Sequence, residues 1–145
     1  MRSFCLIRSS SVQMTEITPN IPGAESLISW FGRWPSFHDA EIITLCIDRE
    51  RKPSSIRIRA FTLSDRTDSD GRFIRERDAL VVFEFTGITL LRIEGEDADT
   101  QNVISSLLIE PTTEGYRLVL GPSYGMAGEI IVKDLKVRLE PSSRL

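Results

Sequence analysis

The chain has 145 residues, 41% apolar and 27% charged, which is the composition of an ordinary globular domain long enough to bury a core without staples. Its 18 Lys+Arg against 21 Asp+Glu leave a net charge of −3, which argues against the basic excess of a dedicated nucleic-acid binder. Two cysteines are too few for a disulfide framework, and a single histidine, His38, excludes multi-histidine metal sites within one chain.

Residues 1–13 read as an irregular tail or an over-called start, because a second methionine follows at Met14. The apolar run from Phe4 to Ile7 is shorter than the ~7–15 residues of a secretory signal core. No run approaches the ~18 apolar residues of a membrane span. The expected compartment is the cytoplasm, with free thiols and no membrane partner. One domain is expected over residues 14–141, with 142–145 as a tail.

Asn20-Ile21-Pro22-Gly23 breaks the chain before the first element. Leu27, Trp30 and Phe31 then fall at i, i+3 and i+4, so a short amphipathic helix is predicted from Ala24 to Trp34. Pro35 stops it, since the residue before a proline avoids the α region. From His38 the period changes to two. The strand to Asp48 sets Ile43, Leu45 and Ile47 against Ala40, Ile42, Thr44 and Cys46. Both faces are partly apolar, which places it centrally in a sheet and makes Cys46 a buried small hydrophobe. Ser55 to Leu63 reads as its antiparallel neighbour, with Lys52-Pro53-Ser54 as the turn.

Asp65 to Arg77 reads as a polar loop. Strands follow at Asp78 to Thr86 and Ile88 to Glu94, separated by Gly87. Asn102 to Glu110 is apolar on both faces and is either a strand or a helical turn entering one. Tyr116 to Leu120 and Glu129 to Leu139 are the last strands, joined through Gly121-Pro122-Ser123-Tyr124-Gly125. The predicted class is α+β: one short N-terminal helix packed on a mainly antiparallel sheet of about seven strands.

Three groups invite chemistry. Asp68-Ser69-Asp70-Gly71 has the look of a calcium loop, but counting from Gly71 as position six puts Arg66 and Arg77 where carboxylates are required. A solvated loop is expected. His38, Asp39 and Glu41 form a compact acid–base group, with Asp39 and Glu41 on one face of an extended strand and His38 on the other. No activated nucleophile or phosphate-cradling glycine loop accompanies them. No cofactor or metal is expected. The third feature is charge: residues 65–99 carry ten acids against five bases, concentrated at Glu94, Glu96, Asp97 and Asp99, a rim able to steer a basic partner.

Trp34-Pro35-Ser36-Phe37-His38-Asp39-Ala40-Glu41-Ile42 resembles the opening motif of the immunity protein 50 family of bacterial polymorphic toxin systems. Later blocks follow in that family's order: Val81 to Ile88, Gln101-Asn102-Val103-Ile104 with Leu107, and Tyr124-Gly125-Met126-Ala127-Gly128. The resemblance spans roughly Trp30 to Leu139 and leaves residues 1–13 outside. It implies an α+β protein, not an enzyme, that binds and neutralises a toxin made by a neighbouring gene. It marks Trp34, Pro35, Phe37, His38, Asp39, Glu41, Tyr124 and Gly125 as motif positions. These read as framework, with Gly125 and Gly128 as turn glycines. The toxin would then meet the loops, at the acidic stretch of Glu94, Glu96, Asp97 and Asp99.

Two other readings stay open. One is a small-molecule-binding or hydrolytic domain, which requires His38, Asp39 and Glu41 to converge within ~3 Å reach of one ligand position. The other is a structural or oligomerisation module, pairing an exposed edge such as the last strand across a dimer axis. Monomer and homodimer are both compatible with the sequence.

Overall fold

The computed structural model describes residues 18–49, 52–95 and 102–140. One helix, α1 (Ala24–Phe31), precedes eight strands: β1 (Ala40–Cys46), β2 (Ser54–Thr67), β3 (Phe73–Thr86), β4 (Leu90–Glu94), β5 (Asn102–Pro111), β6 (Tyr116–Tyr124), β7 (Ala127–Val132) and β8 (Asp134–Glu140). They form one sheet in the order β4-β7-β6-β5-β1-β2-β3-β8, and every neighbouring pair is antiparallel. The α+β class is therefore as expected. The count is eight because the run from Glu129 to Leu139 divides at Lys133.

The two ends of that order belong to the same two chain segments. β3 passes through Gly87 into β4, and β7 passes through Lys133 into β8. β3 pairs with β8 as far as Thr86 opposite Asp134, and β4 pairs with β7 from Leu90 opposite Ile131. At the bend the Lys133 amide donates to the carbonyls of Thr86 at 3.2 Å and Gly87 at 3.1 Å. Two bent strands thus make one ribbon that joins both ends of the sheet. The sheet curls into a barrel-like ring, and ring closure hides backbone edges that an open sheet would expose. β8 ends the strand order. It pairs with β3, and its Val137 amide donates to the Pro22 carbonyl at 3.0 Å.

Alternation fills the ring. Ile56, Ile58 and Ala60 of β2 point inward with Val81, Phe83 and Phe85 of β3, Leu118 and Leu120 of β6, and Ile130 and Val132 of β7. Each such large side chain contributes ~1.5–3 kcal/mol by leaving water. Helix α1 packs over β8 and β3, burying Ala24, Leu27 and Phe31. It ends three residues earlier than predicted. Gly32 takes a left-handed conformation (φ 89°), and its amide caps the Ile28 carbonyl at 2.8 Å. Trp30, read as part of the apolar face, is exposed instead.

β1 is central in the sheet as expected, while other expectations are corrected or decided. The apolar residues on both faces of β1 reflect a register shift between Ile42 and Thr44: Ala40 and Ile42 point inward before it, and Leu45 and Ile47 pack on the core after it. Cys46 lies past the shift and is exposed. The expected loop over 65–77 is mostly strand, since β2 and β3 continue as a long hairpin arm whose turn is residues 68–72. Both faces of that arm are largely polar, so no period-two signal marked it. The Asp68 carboxylate accepts the amides of Asp70 at 2.9 Å and Arg72 at 3.0 Å, which makes Asp-Ser-Asp-Gly a hairpin turn. Asn102 to Glu110 is strand β5, and β6 runs on to Tyr124, leaving the turn to Gly125 and Met126.

Candidate partner-binding site

The Trp-Pro-Ser-Phe-His-Asp-Ala-Glu run links α1 to β1, and it splits into inward and outward residues. Trp34, Phe37 and Phe83 form an aromatic cluster, with ring centroids 5.8 Å (Trp34–Phe37), 5.9 Å (Phe37–Phe83) and 6.4 Å (Trp34–Phe83) apart. Such tilted and edge-on pairs add ~0.5–1.5 kcal/mol each beyond burial. Pro35 and Ala40 are buried beside them. Between these anchors the chain makes a tight turn, closed by the Ala40 amide on the Phe37 carbonyl at 3.1 Å. The Asp39 amide donates to the Ile104 carbonyl of β5 at 2.9 Å, and the His38 amide to Ser36 Oγ at 3.2 Å.

That turn holds Phe37 at φ 62° and Asp39 at φ 63°. The left-handed region costs L-residues ~1–2 kcal/mol each, though an aspartate tolerates it better than a phenylalanine. Burial of the Phe37 ring offsets the cost at that position. The consequence is functional geometry: His38 and Asp39 are both turned to solvent, with side chains 67% and 55% exposed. The extended-strand reading, with His38 and Asp39 on opposite faces, is corrected by this turn. His38 Nδ1 lies 3.2 Å from the Ser105 carbonyl, a contact that needs the proton on Nδ1. Its Nε2 is 3.7 Å from Asp39 Oδ2. Glu41 points to the outer face of the ring, 3.5 Å from Arg59 Nη1. The three side chains therefore do not converge on one ligand position, which is what the hydrolytic reading required.

His38 and Asp39 form one side of a groove of about 650 Å³. Trp34 lies beside them, and Phe61, Leu63 and Leu108 supply apolar walls. Exposed large apolar side chains gather at this end of the ring. Leu63 is 57% exposed and Leu108 49%, both in the groove. Phe73, 56% exposed, stands on the same hairpin arm as Leu63. Trp30, 47% exposed, is tethered to the base of that arm by its indole N–H, which donates to the Arg77 carbonyl at 3.0 Å. Sequence reasoning passed over Phe61, Leu63, Phe73 and Leu108. One signal was present: Leu107-Leu108-Ile109 in a strand requires one of three apolar neighbours to face outward.

Charges divide between two regions. On the outer face of β2, β3 and β8 they are paired: Arg57 with Glu140, Arg138 with Glu84 at 3.3 Å and Glu140 at 3.6 Å, and Lys136 with Glu84 at 3.8 Å. The Arg57 guanidinium holds the Glu140 carboxyl below its usual range, with Arg138 adding to the effect. On β6, hydrogen bonds to Glu129 and Glu110 raise the Arg117 guanidinium above its ordinary value. On the hairpin arm Arg66 is paired with Glu76 at 3.4 Å, but three other arginines at the groove end lack such partners. Among the described residues Arg33, Arg75 and Arg77 have no carboxylate within ion-pair distance. Arg75 instead lies over the Phe61 ring, 4.1 Å from its centroid, and Arg77 donates to the Phe31 carbonyl at 3.4 Å.

The remaining expected positions are dispersed. Gly125 is a turn glycine as expected, at φ 89°, and a Cβ there would lie 2.3 Å from Asn102 Oδ1. Gly128 sits inside β7, where a Cβ would meet the Arg92 carbonyl oxygen at 1.9 Å, so close strand approach and not a turn demands it. Tyr124 ends β6, and its side chain lies outside the described residues. Glu94 is exposed at the end of β4, whereas Glu96, Asp97 and Asp99 lie outside the described residues. Among the described residues no cluster of His, Cys, Asp or Glu could hold a metal, and no helix is long and apolar enough to cross a membrane.

The curled sheet displays an apolar groove whose rim holds His38 and Asp39. Residues 23–139 match the model of the family described as Immunity protein 50, and the chain belongs to that family. No curated protein and no solved structure matches the chain.

Proposed function

We propose that this protein is a non-enzymatic immunity protein, which binds a toxin encoded beside its own gene and neutralises it in the cytoplasm of the producing bacterium. Membership of the immunity protein 50 family carries the reading. The dispersal of His38, Asp39 and Glu41 supports stoichiometric binding over turnover, since Glu41 is engaged with Arg59 on the outer face. Inhibition then follows from occupancy: a bound protein covers the toxin's working surface and excludes its substrate. Complexes of this kind reach about nanomolar dissociation constants when a few buried anchors dominate the interface.

The experiment is co-expression. Cells carrying the adjacent toxin domain should survive when this chain is supplied, and the two purified proteins should co-elute as a complex. Survival without complex formation would point to enzymatic protection, and neither survival nor a complex would refute the reading.

A further inference from the structure

We infer that the groove beside Trp34 receives an acidic segment of the partner, one that inserts an apolar side chain between flanking carboxylates. The inference rests on the proposed toxin-binding function and specifies its surface. Three observations on independent residues converge. The groove walls include Phe61, Leu63 and Leu108, and the two leucines stand half in water with no covering element among the described residues. An apolar pocket open to solvent is where an anchoring side chain gains most by burial.

The second observation is charge. Arg33 lines the groove, Arg75 lies on the Phe61 ring that walls it, and Arg77 stands beside the end of α1. None has a carboxylate partner among the described residues, whereas Arg57 and Arg138 of the outer face are paired with Glu140 and Glu84. Asp39 is the one carboxylate lining the groove among the described residues, and His38 stands beside it. An arginine that stacks on an aromatic ring retains its fork of donors for a planar carboxylate. The complement is a segment bearing two or more Asp or Glu residues around one Leu, Met or aromatic anchor.

The third observation is the backbone. Left-handed Asp39 lies at the rim of the same groove beside His38, and left-handed Phe37 precedes them in the core. Strain of this type survives where packing enforces it, and it clusters at ligand-binding positions. Here packing of Phe37 on Trp34 and Phe83 enforces it.

Two arms test the inference. In the first, isotope-labelled protein is titrated with a pentapeptide of one leucine flanked by two glutamates on each side, and with the counterpart in which lysines replace the glutamates. The glutamate peptide should shift the indole N–H signals of Trp30 and Trp34, and the lysine peptide should not. Equal response to both peptides, or no response to the glutamate peptide, overturns the inference. In the second arm, Leu108→Asp and the double charge reversal Arg33→Glu/Arg75→Glu should each weaken binding of the co-encoded toxin by about tenfold or more. Lys136→Ala, on the paired outer face, should leave it unchanged. If the toxin binds every variant equally, the groove is not the interface while the immunity function stands. If only Leu108→Asp weakens binding, the acidic character of the partner segment is wrong. If the unmodified protein binds no toxin, the functional reading fails and the peptide arm alone decides the groove.

Discussion

The outer face of β2–β3–β8 and the groove end are both built from arginines lying beside apolar side chains, yet they differ in how those groups are satisfied. On the outer face Arg57 and Arg138 flank the buried Val82 across the sheet, and their guanidiniums end on Glu140 and Glu84. The apolar surface is covered and the charge is answered within the chain. At the groove end Leu63 and Leu108 stay exposed, and Arg33, Arg75 and Arg77 lack carboxylates among the described residues. The lesson is that residue type alone does not distinguish the two regions. Satisfaction of the same residue types does.

The comparison can be strained hardest through the residue on which the groove end is built. Phe37→Ala removes a ring held between Trp34 and Phe83 and should cost ~3–5 kcal/mol in urea unfolding. A loss below about 1 kcal/mol would show that the aromatic cluster does not hold the motif. Gly125→Ala should cost ~1–3 kcal/mol by the same measurement, because alanine must adopt φ 89° with its Cβ against Asn102. Asp39→Gly relaxes a left-handed residue whose side chain is mostly in water. Stability should stay level or rise by up to ~1 kcal/mol. A clear loss would mean that the Asp39 carboxylate, and not the turn, supports the fold.

The outer face should respond least. Arg138→Ala breaks two surface ion pairs and should change stability by less than about 1 kcal/mol, with the effect shrinking further in high salt. Glu140 adds a pH signature. Its carboxyl titrates lower in the folded chain than in the unfolded chain, so its stabilisation is complete above the ordinary glutamate value of ~4.3 and is lost as pH falls through the lowered folded value. Thermal melts of Glu140→Gln should therefore track the unmodified protein less steeply on the acid side. Parallel acid limbs would show that the Arg57–Glu140 pair contributes nothing.

Much of the scaffold was readable from periodicity. The helix around Leu27 and Phe31 and the strands with Ile56 and Ile58 or Val81 and Phe83 inward follow from local patterns of period 3.6 or 2, and the antiparallel pairing from short connections between strands. So was the motif that carries the family resemblance. The hairpin arm was not, because polar residues on both of its faces erase the alternation. Nor was the exposure of Cys46, because one register shift past Ile42 exchanges the faces of β1.

Residue order by itself determined the early helix, most of the strands and the motif that carries the family resemblance. Ring closure was decided in three dimensions, since it depends on Thr86 meeting Asp134 and Leu90 meeting Ile131 across two bends. The groove was decided there too. Its walls come from residues 33–36, 38–39, 61–63 and 107–109, and only packing brings such distant segments together. His38, Asp39 and Glu41 show the same division: adjacency in sequence suggested a joint site, but the left-handed turn sends two of them to the groove rim and leaves the third paired on the outer face.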